Sequence, residues 1–304
     1  MTATAGIRHR RVASRARRWR MPWLAFGTAV VFLVGAVVLL APTAANWFSQ
    51  VEQAQEITRL ADGVEDLGAR TLAQALEQAR TYNATLVGGA VVAADEHIPT
   101  SSEVIGDEAR LDYAQLLRAD ADGLMARIKI PVIGVDLPVY HGTSEATLEE
   151  GVGHLEGTAL PVGGVGTRAV LTGHRGLATS ELFTNLDRVQ LGDTITVEVF
   201  GEVLSYRVVT TEVVEPSDSR ALYPDANRDL LTLVTCTPLG INSHRILVTG
   251  ERLLPTPAGD LAEAGGPPTI PGFPWWMVIL GAVLTTSVVY VAISGRVRRP
   301  RDAA

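Results

Sequence analysis

The chain has one cysteine, Cys236, and one lysine, Lys129, among 304 residues. A lone cysteine makes no internal disulfide, so a domain on an oxidising side of a membrane must be held by its core alone. No Cys-x-x-Cys or His-x-x-x-His spacing occurs. Zinc sites built on those spacings are absent, and no metal is expected. No glycine-rich phosphate loop follows a strand-like run, which argues against a nucleotide site and leaves no cofactor to expect. Charge is missing altogether from two stretches, 22–41 and 273–295.

Each of those stretches is long enough to cross a hydrocarbon core of about 30 Å as a helix. Arg8, Arg10, Arg11, Arg15, Arg17, Arg18 and Arg20 precede the first. Arg296, Arg298, Arg299 and Arg301 follow the second. Between them, residues 46–272 carry 32 acidic and 15 basic side chains, a formal charge of −17. Positive flanks stay cytoplasmic. The expectation is a multi-pass protein of the cell membrane with both termini inside and residues 46–272 on the extracellular face. Trp23, Trp47, Trp275 and Trp276 fall where interfacial aromatic belts form. A cleaved signal peptide is the alternative for the first stretch. Its apolar part exceeds the usual h-region of roughly 7–15 residues, and Thr43-Ala44-Ala45 is a weak cleavage site. Beside an apolar 20-mer the arginine run reads as a topology signal, so nucleic acid is not an expected partner. The excess of arginine over lysine reads as a coding bias.

The chain divides into a tail (1–21), a membrane span (22–41), a helical stalk (46–86), an irregular lid-like segment (87–122), a β domain (123–254), a Pro/Gly-rich linker (255–272), a second span (273–295) and a tail (296–304). Val51, Ala54, Ile57, Leu60, Val64 and Leu67 recur at helical steps, and the segment reads as a spacer. Seven or eight short apolar or alternating runs follow from Ala126, broken by Pro131, Gly134 and Pro138. They indicate a mainly β domain, a closed barrel or a sandwich. The acidic segment 215–229 reads as a solvated loop, with calcium binding as the other reading.

Cys236 ends the run Thr232-Leu233-Val234-Thr235-Cys236-Thr237-Pro238. A strand stopped by Pro238 leaves the thiol at the rim of a sheet, either as a small core residue or as a nucleophile. A nucleophile needs a histidine for its proton and a group to stabilise the oxyanion. His174, in Thr172-Gly173-His174-Arg175-Gly176, and His244, beside Arg245, are the candidates; His141 and His154 sit in other loops. Alternation puts Arg245, Leu247 and Thr249 on one face of their strand and His244, Ile246 and Val248 on the other.

Thr232-Leu233-Val234-Thr235-Cys236 resembles the TLxTC signature of sortases, the cell-wall transpeptidases of Gram-positive bacteria. Thr172-Gly173-His174-Arg175-Gly176 is similar to their catalytic-histidine segment, and Asn242-Ser243-His244-Arg245 to the segment with their catalytic arginine. The likeness runs over roughly 110–253. Leu137-Pro138-Val139-Tyr140-His141-Gly142-Thr143-Ser144, Gly151-Val152-Gly153-His154-Leu155-Glu156-Gly157 and the second membrane stretch resemble class C enzymes, the pilin polymerases. The resemblance implies an eight-stranded β-barrel in which Cys236, His174 and Arg245 converge. It implies an LPxTG-bearing pilin or surface protein as substrate and a pilin lysine as acceptor. Thr235 and Leu233, in the same signature, are expected to contact the substrate. Two alternatives remain: transfer to a cell-wall precursor, and a non-catalytic membrane scaffold. Class C enzymes often carry an Asp-Pro-aromatic lid motif. Here residues 91–99 contain Asp95 but no aromatic after it, so Asp95 is only a lid candidate.

Overall fold

The computed structural model describes residues 19–86, 113–120 and 123–296. They form two units, Met1–Pro42 with Pro274–Ala304, and Thr43–Phe273. In the first, the apolar part of α1 (Trp23–Asp66) and the whole of α5 (Trp275–Ser294) are long and apolar enough to cross a membrane. Trp19 donates its indole N–H to the Ala292 carbonyl at 3.3 Å, and the Arg20 amide donates to Gly295 at 3.1 Å.

The second unit is built on a closed barrel in the order β1-β2-β3-β4-β7-β8-β6-β5. β1 (Leu124–Ile130) turns through Pro131–Ile133 into antiparallel β2 (Val135–His141). The short helix α3 (Glu145–Glu150) carries the chain to β3 (Val152–His154), which runs parallel to β2. β4 (Thr167–Thr172) pairs antiparallel with β3 and parallel with β7 (Asp229–Thr237). β7 pairs with β8 (His244–Arg252), and β8 with β6 (Glu202–Val214). β5 (Thr194–Val199) closes the ring between β6 and β1. Ile128, Val139, Leu171, Val197, Leu231, Leu233, Ile246 and Val248 fill the interior. Residues 132–133, expected as a strand, form the 3-10 turn instead, because a proline at the start lacks the N–H a ladder needs.

Two expectations about the flanks are corrected. The segment 46–86 is not a free spacer. α2 (Ala69–Thr85) inserts Leu76 and Ala79 into the barrel's core cluster. Asn83 on the same helix accepts from the Leu160 amide at 2.7 Å and donates to its carbonyl at 3.0 Å. Leu60 of α1 packs on Leu124 and Tyr140. A buried leucine contributes roughly 1.5–3 kcal/mol, so the hairpin is part of the folded domain. The segment 255–272 is likewise not a loose linker. It contains α4 (Ala258–Glu263), and Asp260 accepts from the Ser205 hydroxyl at 2.5 Å. Arg127 and Lys129 of β1 donate to the carbonyls of Gly266 and Glu263 at 2.8 and 3.0 Å. The Thr269 amide donates to Asp136 at 2.8 Å. Near its end the Gly272 carbonyl accepts from the Trp47 indole at 2.8 Å, so the two ends of the unit are clasped together.

Candidate active site

The cysteine strand and the arginine strand are neighbours, and the register sets Cys236 directly opposite Arg245. On the same face lie Val234 opposite Leu247, and Thr232 opposite Thr249. Val234 and Leu247 pack with Leu155, Val170 and Leu222 in a cluster separate from the barrel interior. This is therefore the outer face of the sheet, and Leu222 from the 215–229 loop covers part of it. That loop supplies an apolar contact as well as solvated charge, and no three acidic or metal-ligating groups among the described residues stand close enough to hold a metal.

His174 reaches the same face through β4. Thr172 pairs with Val234. Two residues on, a parallel partner shares the face of Cys236. The turn is pinned to β7 at both ends of Gly173: its amide donates to the Val234 carbonyl at 3.1 Å, and its carbonyl accepts from the Thr235 hydroxyl at 2.7 Å. A Cβ at Gly173 would stand 2.8 Å from Phe183, so only glycine lets the loop press this close. Arg175 completes the brace. It donates to the Thr237 hydroxyl at 2.8 Å and the Thr184 carbonyl at 3.1 Å, and pairs with Asp187 at 2.8 Å.

Arg245 is 2% exposed and Cys236 7%. One guanidinium nitrogen of Arg245 donates to the carbonyls of Asn242 and His244 at 2.9 and 3.1 Å, which holds the group's plane. Asn242 sits at φ +59°, the left-handed region that asparagine tolerates better than most residues. That turn points its carbonyl back at the arginine.

The expected substrate contacts Thr235 and Leu233 are corrected. Both alternate with Cys236 and face inward. Leu233 is fully buried in the barrel core, and the Thr235 hydroxyl is engaged with Gly173. Their work is packing and bracing the histidine turn. His244 is exposed, with the Ser243 hydroxyl 2.8 Å from its Nδ1. His154 is fully buried, its Nδ1 2.9 Å from the Tyr113 hydroxyl and its Nε2 2.8 Å from the Ala159 carbonyl. Burial pushes it down to about 4, so it stays neutral and structural. His141 is held between the carbonyls of Gly123 and Leu116 at 2.7 Å each. Of the lid-like segment 87–122, Tyr113 and Leu117 are buried in the core; Asp95 lies outside the described residues.

Sequence reasoning passed over Glu145. Its Oε1 stands 3.2 Å from His174 Nε2, near enough for charge attraction though off the line of a hydrogen bond. Ser144 caps α3 by accepting from the Thr147 amide at 3.2 Å, and Glu145 is the first residue after that cap. Ser-Glu at a helix start was the available signal, since acidic residues favour the first turn. The Cys236 thiol is pushed up by burial, pulled back by Arg245 and pushed up again by Glu145, with a net rise above its ordinary value. The thiolate is the reactive form, so its fraction rises with pH through a midpoint above the usual thiol range. Glu145→Gln removes one raising charge. The pH midpoint for labelling Cys236 with a thiol reagent is expected to move down, toward neutrality; an unchanged or higher midpoint contradicts the assignment.

The Sortase domain family matches residues 128–253. The solved structure of sortase C1 from Streptococcus agalactiae is 38% identical, covers 66% of this chain and all of that one, and superposes with a TM-score of 0.61. A Streptococcus pneumoniae sortase C, described in terms of pilin substrate specificity, is 35% identical over 66% of this chain and 96% of that one, with a TM-score of 0.57. Sortase D of Bacillus subtilis is 28% identical over 129 residues, which span 41% of this chain and 62% of that protein.

Proposed function

Because this chain belongs to the sortase family, we propose that it is a membrane-anchored cysteine transpeptidase of class C type. It cleaves an LPxTG-type sorting signal through a thioacyl bond on Cys236 and passes the acyl group to a pilin lysine. What supports this reading is the register that sets Cys236 opposite Arg245, together with the pinning of the His174 turn to the cysteine strand through Gly173.

The chemistry follows from the positions. The Cys236 thiol passes its proton to His174 as the sulfur attacks the threonine carbonyl of the signal, and the oxyanion that forms is stabilised by the Arg245 guanidinium. A single well-placed donor of this kind contributes about 10²–10³ in rate. His174 protonates the departing glycine amine as the C–N bond breaks, leaving a thioester. It then takes the proton of the incoming amine as the new amide forms and the thiol leaves. Likeness to the streptococcal class C enzymes supports a pilin acceptor. The arginine clusters outside both apolar helices support a catalytic domain on the extracellular face.

The test is to incubate the full-length protein in detergent with an LPxTG peptide and look for the thioacyl adduct by mass spectrometry. An adduct on Cys236 is expected, and its absence from a folded sample rejects the reading. Transfer of the trapped acyl group to a pilin lysine, rather than to a cell-wall precursor amine, separates polymerisation from wall anchoring.

A further inference from the structure

A cavity of about 510 Å³ opens between α1 and α3. Four carboxylates line it, Glu52 and Glu56 on α1 and Glu149 and Glu150 on α3. Tyr140 of β2 lines it too. The Tyr140 ring packs on Leu60 and Leu124 and the residue is only 3% exposed. Yet its hydroxyl has no hydrogen-bond partner among the described residues. Because the hydroxyl is not fully enclosed, it opens to the cavity and can bond a polar occupant there. Burial, then the charges of Glu56 and Glu150, push the Tyr140 phenol above its usual range, with Arg59, 2.9 Å from Glu56, offsetting part of the rise; four lining carboxylates leave the hollow acidic. The carboxylates are too widely spread to chelate an ion. That spacing suits a larger cation carried on a flexible stem.

The cavity also abuts α3 and is linked through Gln53 to the loop that follows His174. α3 starts at Glu145, which faces His174. Gln53 of α1 donates to the Glu150 carbonyl at 3.3 Å and to the hydroxyl of Ser180, in the loop that follows His174, at 3.1 Å. We propose that this cavity docks a positively charged segment flanking the attacking lysine of the acceptor polypeptide. Docking there holds the lysine amine beside α3, within reach of the acyl group on Cys236. The amine nitrogen bonds the acyl carbon, the C–S bond breaks, and the proton lost by nitrogen passes through His174 to the leaving sulfur. This inference rests on the transpeptidase reading and adds the acceptor's seat.

The experiment uses full-length protein in detergent, an LPxTG peptide as donor, and two acceptor peptides with one lysine each. One lysine is flanked by arginines, the other by serines. The arginine-flanked acceptor is expected to have a KM lower by about fivefold, and the difference should shrink at about 0.5 M salt as screening shortens the reach of the charges. In Glu52→Gln/Glu149→Gln the difference is expected to vanish through KM rather than kcat. Tyr140→Phe, which removes only the hydroxyl, should narrow it. Equal KM values in the unmodified protein, or a preference that survives the double substitution, overturn the proposal. So does a calcium-dependent rate, equal for both acceptors, that the double substitution abolishes. The Cys236 adduct is scored separately. No adduct rejects the transpeptidase reading itself, whereas an adduct without acceptor preference rejects only the docking site.

Discussion

His174→Ala is expected to slow transfer by about 10²–10⁴-fold, the usual loss when a positioned proton carrier is removed, while His244→Ala leaves it within about twofold. The two histidines differ in what the fold does with them. The His174 turn is held to the cysteine strand by both polar groups of Gly173 and braced by Arg175. His244 is exposed at the start of β8, on the side opposite Arg245, and its nearest polar partner is the neighbouring Ser243. Both variants should melt like the parent, since neither ring fills the core. Measuring kcat/KM for a sorting-signal peptide with each variant decides the matter. Comparable losses from both would reject the assignment of His174.

The second large effect concerns stability. Asp136→Asn is expected to destabilise the domain by about 3 kcal/mol, the low end for a broken buried pair, because it removes the nearer of the two carboxylates that face the buried Arg127 charge. The Arg127 and Asp136 side chains are 4% and 8% exposed and meet through paired bonds of 2.6 and 2.8 Å. Arg127 also lies 3.6 Å from Glu198 and donates to Gly266. Replacing Arg127 and Asp136 together by Met and Leu should cost much less, as apolar substitutes for a buried pair often do. Burial alone would raise the Asp136 carboxyl, but the bonds from Arg127 and Thr269 outweigh it and hold the group below its ordinary range. Its contribution is therefore complete above the unfolded carboxylate value of about 3.9 and is lost as pH falls through the lower folded value. The melting temperature of the parent should fall more steeply than that of Asp136→Asn below about pH 4. Parallel curves would show that the pair contributes little.

Much of this architecture is legible in the chain because its signals are local. Two charge-free stretches mark the apolar helices. Alternation from Ala126 marks most of the strands that close the barrel. β3 and α3 escaped notice because three and six residues are too few to show a period. The flanks were misread for another reason. A glutamate-rich helical hairpin and a proline-rich tail look solvated when taken alone. Asn83 and Arg127 are the polar residues that bind these flanks to the barrel, and a polar residue's burial depends on a partner distant in sequence.

At the site, Thr235 and Leu233 fail by a rule the sequence already contained. The period of two that separates Arg245 from His244 also separates Cys236 from its neighbour Thr235. A signature motif covers both faces of its strand, so only every second residue of it can meet a ligand. Glu145 was missed for a different reason. Nothing in one chain of letters says that the start of a six-residue helix will stop beside a histidine 29 positions later.

The clasp between Trp47 and Gly272 has a mechanical meaning for a catalytic unit held at both of its ends. A tug transmitted through the two polypeptide ends of the catalytic unit reaches the residues of this clasp. It next meets the contacts of the tail on Arg127, Lys129 and Asp136. The strand ladder that sets Cys236 opposite Arg245 is separate from these contacts.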